Sequence, residues 1–353
     1  MDPRLDPEPS ALARLLVRAA HAILPLPAAP PPLGEIGSVL VVRTDDRVGN
    51  ALLTIPLVRA LQRALPAARV DLLLASRRAR VGEGLPNLRL IPFEKRTGPL
   101  RLLRFLRALR GRYDVAIDAA HWHSFSLTSA LLTRWAARRW AIGPDRGPAR
   151  LAYSGVAPLP APGRPEALAK LDLGLPLGLH LAPAPLETSL GRGEAPVKGR
   201  FAALNPGARK SDHRWPASRF GALAHQLRER HALRSVVFWG PGEEALAREV
   251  VSASAGAAEL APPTDLDALA AAFRSAALVV ANDTGPMHLA VACGAPVCAI
   301  FLEESGLRFA HPGPRFAALL APADEVPVLA AAGRFLDRAP SAAQPAPSRE
   351  DPA

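Results

Sequence analysis

The residues best suited to chemistry stand together in the run Val279-Val280-Ala281-Asn282-Asp283-Thr284-Gly285-Pro286-Met287-His288. Its apolar start reads as a strand, a carboxylate and a hydroxyl fall at the strand's end, and Gly285 with Pro286 opens a helix. The unpaired N–H groups and dipole of such a helix start can hold a phosphate, and Pro286 costs nothing in a first turn where its missing N–H would have no partner. His288 then stands one turn along. The same residues have a plainer use as well: Asp283 or Thr284 as a helix cap, and His288 as a half-buried, hydrogen-bonded ring. Three other groups are candidates: Asn205-Pro206-Gly207-Ala208 with the basic residues Arg209, Lys210, His213 and Arg214 behind it, Trp239-Gly240-Pro241-Gly242-Glu243-Glu244, and Asp46-Arg47-Val48-Gly49-Asn50. Glu243 and Glu244 can also serve simply as first-turn acids that stabilise a helix.

Elements of regular length must position these groups. Residues 1–33 read as an extension, an amphipathic helix from Leu12 to Leu24 followed by a connector ending in Pro30-Pro31-Pro32, and an appendage rather than part of a core. Residues 34–175 alternate apolar runs of strand length with helix-period segments: Ser38 to Arg43, a helix over about Ala51 to Leu65, Val70 to Ala75, Leu88 to Phe93, an arginine-rich helix, Tyr113 to Asp118, and a helix from about Ser124 to Arg138. Such alternation builds parallel sheets with helices on both faces. Between about Ala157 and Gly199 Pro and Gly crowd the chain and regular period is lost, so a domain boundary belongs there; residues 176–199 are assigned as the linker, and the alternation resumes over 200–325. In the remainder, 326–353, the stretch from about Asp324 to Leu336 is expected to pack back on the first domain, with a disordered tail beyond Arg338. The fold class is α/β: two doubly wound, Rossmann-like parallel-sheet domains facing a central cleft, with every candidate just after a strand, where open parallel sheets bind ligands.

Composition narrows the partners. The net charge of +11 is partly concentrated between Glu94 and Arg112, where seven Lys or Arg face one acid and Arg101, Arg104 and Arg107 alternate with leucines. A helix of that pattern suits an anionic lipid or acceptor, or is an ordinary surface helix with a solvated basic face. Interleaved aromatics and nucleic-acid-binding modules are missing, so nucleic acid is not expected as a partner. Cys293 and Cys298 share one apolar run and read as buried thiols in a reducing compartment. Neither a spanning segment nor a convincing secretory signal is legible, and a cytoplasmic enzyme is expected.

The segment from Asp283 to His288 resembles the D-T-G-x-x-H signature of glycosyltransferase family 9, the lipopolysaccharide heptosyltransferases, and three more motifs follow in that family's order. Asp46-Arg47-Val48-Gly49-Asn50-Ala51-Leu52-Leu53-Thr54-Ile55-Pro56 is similar to D-R-x-G-D-x-x-L-T-x-P. Asn205-Pro206-Gly207-Ala208 with Arg214-Trp215-Pro216 and Phe220 resembles the P-G-A…K-x-W-P…F block, and Trp239 to Glu244 resembles G-x-x-x-E. The resemblance implies a GT-B fold and an inverting transfer of heptose from a nucleotide sugar, ADP-heptose by analogy, to a lipopolysaccharide core, with no cofactor and no metal. On that reading the partners are the nucleotide sugar, an anionic glycolipid acceptor and the inner-membrane surface, which the cytoplasmic enzyme meets peripherally. Without a metal, the leaving diphosphate needs basic side chains and backbone donors: Lys210, His213, Arg214, Thr284 and the N–H groups near Gly285. Glu244, or its neighbour Glu243, would accept from the ribose or adenine, Met287 would pack on the base, Asp283 and His288 would contact the sugar or order the loop, and Gly207 belongs to the same donor-binding set.

Three departures from the family pattern bear on the chemistry. His213 stands where the family has a lysine. Phe301-Leu302-Glu303-Glu304 lacks the glycine of F-G-x-T/S-x-P. Asn50 replaces the aspartate expected to accept the acceptor's proton, and an amide cannot do so. Asp46 is then the first candidate base, ahead of Asp45, His121 and His123. The alternatives are a degenerate nucleotide-sugar-binding protein of the same fold and, behind it, a GT-B nucleotide-sugar epimerase.

Overall fold

The computed structural model describes residues 11–27, 29–122 and 125–337. His123 and the tail beyond Arg338 lie outside the described residues. In the first half, β1 (Ser38–Arg43), β2 (Arg69–Ala75), β3 (Arg89–Phe93), β4 (Tyr113–Asp118), β5 (Ala137–Pro144) and β6 (Gly155–Ala157) form one sheet in the order β3-β2-β1-β4-β5-β6. In the second, β7 (Phe201–Asn205), β8 (Arg234–Val237), β9 (Ala258–Leu260), β10 (Leu278–Asn282), β11 (Val297–Phe301) and β12 (Phe316–Leu320) form another in the order β12-β11-β10-β7-β8-β9. Every strand pairing is parallel. Numbered within each half, the two orders are the same. The chain reverses its direction of travel between β1 and β4 and again between β7 and β10, and the crevices at those reversals are where parallel sheets take ligands.

The helices are α1 (Ala11–Ile23), α2 (Val48–Leu52), α3 (Ile55–Ala64), α4 (Pro99–Leu109), α5 (Leu127–Ala136), α6 (Ala149–Ala152), α7 (Glu166–Ala169), α8 (Ala217–His231), α9 (Glu244–Ala253), α10 (Leu266–Ser275), α11 (Gly285–Ala292) and α12 (Val326–Leu336). Their apolar sides cover both sheet faces, which explains why β1 and β10 are nearly continuous runs of buried Val, Leu and Ala. The single helix expected over Ala51 to Leu65 is two, α2 and α3. Pro56, in the first turn of α3, lacks the N–H that would continue the α2 ladder, and the Thr54 hydroxyl donates to the Asn50 carbonyl at 2.9 Å at the break.

Several sequence expectations need correction. The extension is not a mere appendage: α1 buries Val17 in the cluster that holds α5 and β4, and the Arg134 guanidinium donates to the Leu24 carbonyl at 2.7 Å. The α12 helix packs on the second half, where Val328, Leu329, Ala331 and Ala332 join α8 and β10 to β12, not on the first. The helix expected to end at Arg138 stops at Ala136 and gives way directly to β5. Trp140, Ala141 and Ile142 of that strand are buried beside β4, a tertiary contact that outweighs the helical reading of the arginine-flanked run.

The halves meet where α2 packs against α11. Gly49 lies so close to the His288 ring that a Cβ added to it would stand 2.4 Å from Cδ2, and a Cβ on Gly285 would stand 3.7 Å from the Gly49 nitrogen. Gly49→Ala favours the α2 helix locally, so any loss of stability reports this contact. It is expected to lower stability by about 1–3 kcal/mol through overpacking, whereas Gly34→Ala, with open space around its Cβ, stays near wild type. Thermal denaturation of the two variants checks this.

Candidate functional site

The ends of five strands, β1, β4, β7, β8 and β10, build the site. After β1, the buried Arg43 side chain turns along the sheet's end: Nη1 donates to the Ala119 carbonyl, Nη2 lies 2.8 Å from His121 Nε2, and Nε pairs with Asp45. Asn50, in α2, places its amide nitrogen 2.7 Å from Asp45 Oδ1 and 2.8 Å from His121 Nε2. The carboxylate only accepts and the guanidinium only donates, so Asn50 Nδ2 is the donor to both neighbours and His121 Nε2 carries the lone pair. The other ring nitrogen, Nδ1, then bears the hydrogen and faces Glu166 Oε1 at 3.4 Å. Glu166 pairs with Lys170 at 3.0 Å, and the Lys170 ammonium also donates to the Ala119 carbonyl at 2.9 Å.

This cluster is almost dry, and its charges balance: Arg43 and Lys170 against Asp45 and Glu166. Burial and the Arg43 charge push His121 down to about 3, against the pull of Glu166. Burial alone would raise Glu166, but the Lys170 ammonium and the His121 hydrogen bond hold it well below the carboxylate range. Burial likewise raises Asp45, and the Arg43 guanidinium and Asn50 amide more than reverse it. Asp118, next to the cluster and fully buried, is pushed up to about 6 by burial while Tyr153 donates to it at 2.6 Å.

Of the proton acceptors considered, His121 has its lone pair turned to Arg43 and Asn50 and has none to offer an acceptor hydroxyl. Asp46 is not in the cluster: it is half exposed and pairs with Arg78 at 2.9 Å, so its first rank is corrected. Asp45, with its side chain 33 % exposed, is the carboxylate on the cluster's open side.

On the second half, the buried Asn282 side chain accepts from the Trp215 N–H at 3.2 Å and donates to the Pro206 carbonyl at 2.8 Å, tying the end of β10 to the loop after β7. Trp215 is itself anchored through Nε1 to the Pro322 carbonyl at 2.9 Å. Thr284 occupies the cap position of α11 without capping it; its hydroxyl donates to the Asn282 carbonyl at 3.2 Å. Burial raises Asp283 to about 7 against the attraction of Arg308. His288 is buried, bonded through Nδ1 to His311 Nε2 at 2.7 Å, and pushed well below its ordinary range by burial and by His311, which burial takes down to about 4.

The remaining candidates divide. Glu243 folds back over Gly207, where a Cβ would fall 2.1 Å from its Oε2, and accepts from the Gly240 N–H at 3.1 Å. Arg214 stands 4.0 Å from Glu243 and donates to the Ala208 carbonyl at 2.8 Å, while Lys210 is exposed on the same loop. Glu244 points along the solvent side of α9 to Arg248 at 2.6 Å, so Glu243 is the carboxylate placed in the crevice. Met287 is fully buried in the core and has no surface to offer a base. His213 lies 3.9 Å from both Asp212 and Glu303, a spacing of three ligand types that is compatible with a cation. Arg101, Arg104 and Arg107 are exposed on α4, the helix after edge strand β3, away from the switch point.

Sequence reasoning passed over Glu166, Lys170 and His311, and it named Asn282 and Arg43 without giving them a place in the site. Two signals were legible: a charge ending the apolar run of β1, and a Glu-Lys pair four residues apart inside a segment read as boundary.

Because burial raises Asp283, the folded state holds that proton to higher pH than the unfolded chain does. Its contribution is therefore favourable at low pH and is lost as pH rises from about 4 through about 7. Asp283→Asn removes the loss. Relative to wild type it is expected to gain about 1–3 kcal/mol above about pH 8 and almost nothing below about pH 4, read by denaturant unfolding across pH.

The sequence matches the family model of glycosyltransferase family 9 (heptosyltransferase) over residues 102–327. No curated protein sequence matches it significantly. Among solved structures, E. coli heptosyltransferase WaaC with ADP superimposes with a TM-score of 0.65 at 24 % identity, covering 81 % of this chain and 93 % of that one. WaaC has also been solved with ADP-2-deoxy-2-fluoro heptose. A family 9 glycosyl transferase from Veillonella parvula gives 0.69 at 19 % identity, covering 88 % and 92 %. E. coli ADP-heptose lps heptosyltransferase II gives 0.62 at 21 %, covering 85 % and 98 %. At these identities the likeness shows the fold, which is GT-B, and the family model covers most of the chain. By that match, with both halves' switch points facing across the α2–α11 contact, the chain belongs to glycosyltransferase family 9, the heptosyltransferases.

Proposed function

We propose that the protein transfers heptose from ADP-heptose to an anionic lipopolysaccharide core acceptor, with inversion and without a metal ion, at the cytoplasmic face of the inner membrane. The observation that carries the reading is the apposition of Val48 and Gly49 of the first half, next in sequence to Asn50, to Gly285 and His288 of the second, which brings the cluster around Asp45 near the uncapped start of α11. The ADP moiety of the ligand seen with WaaC supports the choice of nucleotide. The first-turn N–H groups of α11 and the Thr284 hydroxyl face the diphosphate, Lys210 and Arg214 neutralise it, and Glu243 over Gly207 takes the ribose.

In the transfer itself, the acceptor oxygen attacks the anomeric carbon as the bond from that carbon to the β-phosphate oxygen breaks. ADP leaves with the electron pair. The hydroxyl proton goes to Asp45, whose position Asn50 fixes by hydrogen bonding, so the family's carboxylate is replaced by a neighbour rather than lost. Asp45→Asn is expected to lower kcat on the order of 100- to 10,000-fold while ADP affinity, set on the other half, is retained. Asn50→Asp places two carboxylates within hydrogen-bonding distance, where they share a proton. The expected outcome is a shift of the acidic limb of the pH–rate profile to higher pH rather than a large gain in rate.

Calorimetric titration with ADP-, GDP-, UDP- and CMP-sugars tests the donor, and transfer to truncated lipopolysaccharide tests the acceptor. Preference for ADP-heptose with turnover unchanged in EDTA supports the proposal. Preference for another nucleotide replaces the donor, and loss of turnover in EDTA assigns a cation to Asp212, His213 and Glu303 instead. Binding without any turnover supports the degenerate alternative.

A further inference from the structure

Seven of the eleven exposed large hydrophobic side chains among the described residues lie on α1 and α4. The two helices belong to one layer. Each packs on α5, and Val17 of α1 shares a buried cluster with Leu109 of α4, flanked by Phe105 and Leu106. Both are held firmly: α1 by Arg134 on the Leu24 carbonyl, α4 by the Trp135 indole donating to the Leu106 carbonyl at 2.6 Å and by stacking of Arg110 over Trp135.

What the helices turn outward is unusual for a folded surface. On α1, Leu12, Leu15, Leu16 and Ile23 recur at helical spacing as one exposed stripe, beside a separate flank carrying Arg14 and Arg18. On α4, Leu100 and Leu103 share the outer face with Arg104 and Arg107, opposite the side that packs on α5. Neither helix contains an acid. Among the described residues, Arg101, Arg104 and Arg107 are exposed and make no ion pair. Exposed apolar patches of this kind mark a partner, and leucine combined with uncompensated arginine is the composition that inserts at an anionic headgroup boundary. A protein partner with an apolar groove would satisfy the leucines but leave the arginines facing nothing of opposite charge.

We propose that α1 and α4 together form a docking face for an anionic phospholipid bilayer, with the α1 leucines entering the headgroup region and the α4 arginines binding lipid phosphates. The N-terminal helix is thus a second anchor that lies flat on the membrane and works with α4; no helix among the described residues is long and apolar enough to cross one. The proposal extends the reading of a lipid-linked acceptor, but its test uses neither donor nor acceptor, so the two fail separately.

The test is co-sedimentation of the full chain with vesicles of phosphatidylcholine alone or of phosphatidylcholine and phosphatidylglycerol in equal parts. Wild type is expected to pellet with the anionic vesicles, less so as salt is raised, and to stay in solution with the neutral ones. Replacing Arg101, Arg104 and Arg107 by Gln is expected to weaken partitioning on the order of 100-fold. Leu12→Ser with Leu15→Ser and Leu16→Ser is expected to weaken it strongly while leaving Tm and ADP binding as in wild type, since these side chains are already in solvent. Wild-type protein that remains in the supernatant with anionic vesicles, or variants that pellet as wild type does, overturns the proposal. So does a concentration-dependent dimer that the leucine variant abolishes, because the face would then be covered by a second copy.

Discussion

The position of the two sheets relative to one another rests on a backbone without a side chain. Gly49 lets α2 come against the His288 ring, and Gly285 lets the start of α11 come against the Gly49 nitrogen. Any larger residue at Gly49 would move the carboxyl ends of β1 and β10 apart, and transfer chemistry between two bound molecules tolerates little displacement. The ring that receives Gly49 is itself fixed from behind, by the hydrogen bond to His311 and by the edge-on rings of Phe309 and His311. Burial keeps both imidazoles neutral, so one can donate and the other accept; a charged pair would repel and lose that bond.

A second constraint is electrostatic. Two cations and two anions are withdrawn from water beside His121, an arrangement that adds little net stability over an apolar core of the same size because desolvation offsets attraction. What it does supply is direction. Each partner of Asn50 and His121 is acceptor-only or donor-only, so tautomer and amide orientation follow without freedom, and the Asp45 carboxylate is presented in one attitude to the open side. A neutral amide at position 50 suits this balance, because a second ionised acid among these neighbours would disturb it.

Much of the architecture could be read from the chain because its signals are local. The β1 and β10 runs, the reversal at Gly285-Pro286 and the order of the four motifs all depend on neighbours in sequence. What escaped depends on distant ones. β5 hides in a run that continues helical spacing, and only its place beside β4 makes it a strand. Met287 sits in the recognised motif, yet its side chain points into the core because the helix turns its other face to the first half. Asp46 and Asp45 are adjacent and alike in type; which belongs to the cluster is decided by Arg78 for one and Arg43 for the other, residues that no spacing rule connects. The segment around Glu166 and Lys170 looked like a boundary by its prolines, while its charged pair closes the site.

Asn282 is small in the inventory of the site and wide in effect. By bonding both the Trp215 N–H and the Pro206 carbonyl, it makes the loop carrying Arg209, Lys210 and Arg214 an extension of the sheet rather than a free segment. A flexible basic loop would have to surrender its conformational entropy each time an anion arrived, and that loss would be subtracted from affinity. Here the ordering is completed during folding, so a mutation at this amide would loosen the basic loop as a whole even though Asn282 is not part of it.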